Sequence, residues 1–521
     1  MNQAATLVRG SKILCGIRPD GGAEIVEDGA VLVEGDTIVA VGRLDDVRET
    51  HPGCRILGTS DNVVTPGFVN SHHHVGLTPF QLGAPDLPLE LWLAAKIGLR
   101  QLDPYLDALY SAFEMIASGV TTVQHLHISR SSLAETEAQG EAILRAYREI
   151  GMRVSYSHAF RDQNRLAYEA DEAFLGRLPA RLAAEAAPWF ERQHVPLSEH
   201  LGYVEHMVDR HAGSADGRVA VQLAPANLHW CSDEALVAIG DLSRRRSLPM
   251  HMHLLETPYQ RIYAARRTET SAVAHLETLG LLSPLMTLGH AVWVTKDDLA
   301  RVAESGTCLC HNASSNLRLY SGRAPCGEAL ANQIPVALGI DEAGLNDDRD
   351  MLQEMRLVLH LHKQPGLDAP QSPRAVDVFR MATEHGAATT PFAGSIGRIA
   401  PGMKADLVLF DWPSVRGPYL DPRVSVVDTL VHRARSGAVR HVMVGGRVIY
   451  EEGRFLHVDR DAVLAEISEA IGAAPDRAER RWRGVGAELL PYIREAYRGW
   501  DIDGSIAMDR AKAVSGSHPS G

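Results

Sequence analysis

Between Val63 and Asp341 the sequence alternates eight short apolar runs with longer stretches of helical pattern, and this alternation limits the fold more than any other feature. The runs are Val63 to Ser71, Thr121 to His127, Arg153 to Phe160, Val219 to Pro225, Leu248 to Leu255, Met286 to Val294, Thr307 to Asn312 and Pro335 to Asp341. Apolar strands separated by helices read as parallel β/α units, and eight such units are the number that closes a barrel. Tyr105 to Ser118, Ser132 to Ile150, Asp233 to Arg245 and Asp350 to His362 read as intervening helices, several preceded by a capping residue. The longer intervals after strands 1 and 3 place insertions near residues 78–104 and 161–200.

How the runs end matters more than their number. At or just past the carboxyl end of nearly every strand stands a group that could ligate a metal or move a proton. These are His72 and His74, His125 and His127, His158, Asn227 and His229, His253 and Glu256, His290, His311 and Asn312, then Asp341 and Glu342. A barrel interior is filled with apolar side chains and its chemistry gathers at the C-terminal mouth. Randomly placed core histidines would not give this distribution.

Both ends of the chain carry a different pattern. Short alternating segments such as Ala30 to Val33 and Thr37 to Val41 recur after residue 400 as Ala405 to Phe410, Val439 to Val444 and Arg447 to Tyr450. Such segments, broken by Gly35-Asp36 and Gly445-Gly446, read as hairpins. The expectation is an α/β protein in three parts. Residues 1–64 and 401–460 pair into a small β-sandwich, residues 65–400 form a (β/α)8 TIM-type barrel, and 461–521 form a helical tail. The last dozen residues, rich in Ser, Gly and Pro, are expected to be disordered.

A net charge of −13 argues against a nucleic-acid partner, which needs a cationic face. No apolar run approaches the roughly 18 residues of a membrane span, and the first twenty residues lack the basic start and apolar stretch of a signal peptide. Six scattered cysteines without a Cys-x-x-Cys fit a reducing cytoplasm.

On a strand His72 and His74 point the same way and His73 the other, so two imidazoles form half a metal site. The remainder comes from a resemblance. Pro66-Gly67-Phe68-Val69-Asn70-Ser71-His72-x-His74, His253-x-x-Glu256, Leu288-Gly289-His290, Ser314 to Leu319 and Gly339-Ile340-Asp341 resemble, in order and spacing, the amidohydrolase superfamily. The likeness is to its branch of guanine, S-adenosylhomocysteine and cytosine deaminases and triazine hydrolases. Ala400 to Val408 is similar to the family's return into its β-sandwich.

The resemblance implies that His72, His74, His253 and Asp341 hold one divalent metal, zinc as first choice and iron(II) as the alternative. Three neutral imidazoles and a carboxylate leave a position for water, whose pKa a metal lowers from about 15.7 to about 7. Asp341 is then ligand and base, Glu256 the proton shuttle, and His290 the group that orients water and stabilises developing charge. Candidate substrate contacts are Gln81, Trp92, His125, His127 and Asn346. The two-metal members of the superfamily use a modified lysine on a middle strand, whereas no lysine lies between Lys96 and Lys296, which points to a mononuclear site.

Hydrolytic deamination of a small nitrogen heterocycle is the expected activity. The alternative keeps the site and expels chloride or an alkylamine from a triazine, or cleaves a urea or amide. A binding protein without catalysis would have lost ligands, and all are present. Gln81 and Ala226 replace residues that relatives use to grip carboxylate or ribose, and the acidity of Glu342, Asp347 and Asp348 hints at an amine-bearing substrate. The resemblance also implies a homodimer or larger homo-oligomer.

Overall fold

The computed structural model describes residues 5–128, 132–213, 217–367, 371–502 and 504, so the C-terminal segment expected to be disordered lies outside the described residues. Eight parallel strands form the central layer. Strand 1 is Phe68–His73, strand 2 Val120–His127, strand 3 Arg153–Phe160, and strand 4 the two pieces Val219–Val221 and Ala224–Pro225. Strand 5 is Met250–Leu254, strand 6 Met286–His290, strand 7 Cys308–His311 and strand 8 Val336–Leu338.

Strands 1 to 4 make one hydrogen-bonded sheet and strands 5 to 8 another. Two parallel bridges join them, Leu223 to Met250 between strands 4 and 5, and His73 to Asp341 between strands 8 and 1. At the second seam the Asp341 amide donates to the His72 carbonyl (2.8 Å) and the Ile340 amide to the Asn70 side chain (3.0 Å). This is the arrangement of a (β/α)8 barrel. Its strands are buried on both faces, which is why they read as continuous apolar runs rather than alternating ones.

The helices fall where capping residues announced them. Pro104–Ala117 starts at the Asp103 cap, Leu133–Ile150 at a Ser132 capping box, Asp233–Arg246 at Ser232 and Met351–Leu361 at Asp350. The expected insertions hold the helices Leu89–Ala95, Asp171–Gly176 and Ala180–Glu191.

Both chain ends enter one sheet of nine strands. It is continuous because Thr6–Ile17, twelve residues long, pairs with Arg55–Leu57 near one end and with Asn62–Pro66 near the other. Val8, Ile13, Val31, Ile38, Leu407 and Leu409 pack into its apolar core. The run Val63 to Ser71 is therefore two strands: Asn62–Pro66 belongs to this sheet, and only Phe68–His73 to the barrel. Arg153 ties the two parts together. Fully buried, it forms a two-pronged pair with Asp406 (2.8 and 2.9 Å), which gives the Asp406 of the Ala400 to Val408 motif a structural task.

The tail consists of the helices Arg460–Gly472 and Arg477–Ala496, and the second packs on the helix Leu89–Ala95 of its own chain. Among the described residues no helix is long and apolar enough to cross a membrane.

Candidate active site

The C-terminal ends of strands 1, 5, 6 and 8 bring five imidazole and carboxylate groups to one point. His72 Nε2 lies 3.0 Å from His74 Nε2, which lies 3.1 Å from His253 Nε2. Asp341 Oδ1 is 3.6 Å from His72 Nε2 and 3.4 Å from His74 Nε2. Four donors at Zn–N distances of about 2.0–2.1 Å in a tetrahedron stand about 3.3 Å apart, so this spacing suits a single ion.

The other nitrogens show which way the rings are set. His74 Nδ1 donates to the Leu126 carbonyl (2.7 Å) and His253 Nδ1 to the Ala226 carbonyl (2.9 Å). Both Nε2 lone pairs therefore face the common point, as metal-ligating histidines require. Burial first, then the neighbouring imidazoles, holds His72 and His253 well below the ordinary histidine pKa, so they stay neutral. The site thus supports a divalent metal. Gly339 lets strand 8 pack close against the His72 ligand strand, since a Cβ there would fall 2.5 Å from the His72 Cβ and 2.3 Å from the Asn312 side-chain oxygen.

His251 stands two residues before His253, on the same face, and its Nε2 meets His72 Nδ1 at 2.8 Å. It orients a ring rather than reaching the common point. Replacing His251 by Leu should weaken metal binding about 10–100-fold, the usual effect of removing such a partner. Titration of the metal-free protein in competition with a chelator measures this, and an unchanged affinity would show that His72 is held by other contacts.

Glu256 is buried just beyond strand 5, with Oε1 3.8 Å from His290 Nδ1. Burial raises its pKa well above the ordinary glutamate value, helped by Asp341, Glu90 and Glu342. His290 donates from Nδ1 to the Asn316 side-chain oxygen (2.8 Å), leaving Nε2 3.8 Å from Asp341 Oδ2. Ser315 donates to that same Oδ2 (2.6 Å). Both His290 (φ 67°) and Asp341 (φ 63°) sit in the left-handed region, at a cost of order 1–3 kcal/mol each that clusters at working sites.

Glu90 is a contributor that the sequence pattern does not single out, while Ser315 and Asn316 lie in the Ser314 to Leu319 run without a role assigned to them there. Glu90 is buried beside Thr257, which donates to it (2.5 Å), as does Tyr168 (2.9 Å). Gln260, in turn, accepts from the Glu256 amide (2.9 Å). Only the Ser314-Ser315-Asn316 run after strand 7 offered a sequence signal.

Beneath that run lies Glu354, which accepts from the Ser314 amide (3.0 Å) and hydroxyl. Burial pushes its pKa from 4.5 up to about 7 despite these bonds. A folded pKa above the unfolded one means stability that is complete below about 4.5 and lost as pH rises to 7, on the order of 3 kcal/mol. Glu354→Gln should therefore gain stability over the wild type at pH 8 but not at pH 4.5. Denaturant midpoints across that range check it, and a pH-independent difference would contradict it.

The donor groups open into a cavity of about 750 Å³. Trp92, His125 and His127 line it, with His125 bonded to Tyr147 (3.0 Å) and His127 to Gln139 (3.1 Å). Gln81 and Asn346 are exposed and absent from the lining; Gln81 bonds instead to the Thr78 amide and Tyr110 hydroxyl. His158 pairs with His200, His311 with His362, and His229 lies tilted against Tyr168, so these strand-end histidines are packed away from the donor cluster. Of the acidic residues noted in the sequence, Glu342 is paired with Lys96 and Asp347 with Arg318 (2.7 Å).

A barrel with neutral imidazoles, a carboxylate and a buried acid at its C-terminal mouth defines a hydrolase. The chain belongs to the amidohydrolase family, which it matches over residues 63–449; residues 29–53 also match an imidazolonepropionase-like composite domain of bacteria. It is 31% identical over 455 residues to a 5-methylthioadenosine/S-adenosylhomocysteine deaminase of Syntrophobacter fumaroxidans, covering 86% of this chain and 94% of that one. A 5'-deoxyadenosine deaminase of Methanothermobacter thermautotrophicus is 30% identical, with 87% and 97% covered. Among solved structures, an adenosine deaminase of Xanthomonas campestris with bound zinc superposes with TM-score 0.73 at 23% identity, covering 93% and 98%. An atrazine chlorohydrolase of Arthrobacter aurescens complexed with zinc gives 0.76 at 21%, covering 89% and 100%. At those identities the structures speak for the fold.

Proposed function

We propose that the protein is a mononuclear metal-dependent aminohydrolase that replaces an exocyclic amine of a nitrogen heterocycle by oxygen and releases ammonia. The observation that carries this is Glu256, a buried carboxyl group whose pKa is pushed up by burial and by nearby Asp341, beside a cluster of neutral imidazoles in a cavity of ligand size. The deaminases among its relatives support the same reading. His72, His74, His253 and Asp341 would hold the ion, zinc by preference because imidazole and carboxylate suit it and the zinc-bound neighbours share the fold. When bound, the ion is a Lewis acid that makes water nucleophilic at neutral pH.

The chain's own groups move the protons. Glu256 donates to a ring nitrogen as water adds to the neighbouring carbon, which relieves the charge that develops there. Asp341 accepts a proton from the attacking water, its Oδ2 steadied by the Ser315 hydroxyl. His290, whose Nδ1 donates to Asn316, turns an Nε2 lone pair toward the same carboxylate and can accept a hydrogen bond from the attacking water, which orients it. Returning a proton to the amine turns it into ammonia, so the sum is one water consumed and one ammonia released. Trp92 and the walls around His125 and His127 cover the ring.

Incubation of the metal-loaded protein with aminopurines, aminopyrimidines, pterins and aminotriazines tests the reading through ammonia. Ammonia from one ring class is expected. Chloride or alkylamine from a triazine, with no ammonia from any substrate, would replace deamination by the alternative displacement.

A further inference from the structure

The C-terminal helix Arg477–Ala496 lies beyond the segment matched to the family, which ends at residue 449, yet it completes the cavity over the candidate site. Ala478, Glu479 and Trp482, from its first turns, line the same space as Glu256 and Asp341. Two contacts fix it there. Gly486 sits so close to the end of helix Leu89–Ala95 that a Cβ would fall 2.7 Å from the Ala94 carbonyl oxygen. Around it Val485, Leu489 and Ile493 are buried with Ala94, Ile97 and Phe190 in one apolar cluster.

At the start of the helix Arg100 makes a two-pronged pair with Glu479 (2.9 and 3.0 Å) and donates to the carbonyls of Ile471 and Ala473 (2.7 Å to Ala473). One guanidinium thus joins the loop below the cavity to both tail helices. The Trp482 ring carries the Arg192 guanidinium at 5.2 Å, which steadies the indole. A packed glycine, an apolar cluster and a bidentate ion pair describe a fixed wall rather than a loose tail.

The cavity, about 750 Å³, is in the upper part of the range of about 300–1,000 Å³ for pockets that enclose drug-sized ligands, and a bare heterocycle fills only a fraction of it. We infer that the tail helix is a specificity wall: the substrate is an amino-heterocycle bearing an extended, largely apolar substituent, which packs on Trp482. This rests on the deaminase reading for the ring alone. Trp482 offers the substituent an apolar surface, and Arg100, Arg161 and Arg192, which line the same cavity, disfavour a cation there.

Binding to the full-length, metal-loaded Glu256→Gln protein tests it by calorimetry, with adenine and 5'-methylthioadenosine as probes that share a ring and differ in substituent. The thioether nucleoside should bind at least about tenfold more tightly, and Trp482→Ala should erase that preference while Trp482→Phe keeps most of it. Gly486→Leu, which moves the wall without touching the cavity, should also reduce it. A preference that survives Trp482→Ala, affinities that fall alike for both probes, or no preference at the outset would overturn the wall. Ammonia release by the wild type is scored separately. Its absence with the preference intact would sink deamination and leave the wall standing.

Discussion

Replacing Glu256 by Gln is expected to lower kcat by about 10²–10⁴-fold, the range for a lost general acid–base group, while metal content stays at the wild-type value. The amide matches the carboxyl in shape, and the Glu256 backbone amide remains bonded to Gln260, so the change removes a proton and little else. His290 is a poor substitute for it, because burial holds the imidazole below the ordinary histidine value. Single-turnover assays with metal analysis on the same sample measure this. Full activity in the variant would remove Glu256 as the proton donor, and lost metal would make it a ligand instead.

Asp341→Asn should have at least as large an effect, about 10⁴-fold, by a different route. The substitution withdraws the anionic donor that stands beside His72 and His74 and at the same time removes the base. Metal affinity and turnover should fall together, and added metal should restore occupancy without restoring rate. The contrast with Glu256→Gln separates the roles. Turnover rescued in full by excess metal would mean that Asp341 serves as ligand only.

Much of this site could be read from the order of residues. His72 and His74 share a face because a strand alternates, His253 and Glu256 straddle the end of strand 5, and Asp341 ends the last run, so a parallel barrel must gather them at one mouth. Periodicity failed where burial is complete. Asn62–Pro66 and Phe68–His73 are both buried throughout, so nothing in the residue pattern marks the change of sheet between them.

Loop paths were equally hidden. Gln81 and Asn346 stand near ligands in sequence but face away from the cavity, whereas Glu90 and Lys96, on or beside the inserted helix, turn toward Thr257 and Glu342. The acidic cluster after Asp341 looked unpaired because its partners Lys96 and Arg318 arrive from other segments. For the tail, the sequence announced a helix, and only packing against Ala94 and Ile97 reveals that it lies on its own barrel's insertion.

The most direct test of the central claim is activity against metal occupancy. The protein is stripped of metal, zinc is returned in steps, and bound metal and ammonia release from the best substrate are measured at each step. The account predicts that activity rises in proportion to bound zinc and saturates at about one ion per chain. Saturation at two ions, or turnover that survives complete removal of metal, would contradict the single-ion site built from His72, His74, His253 and Asp341.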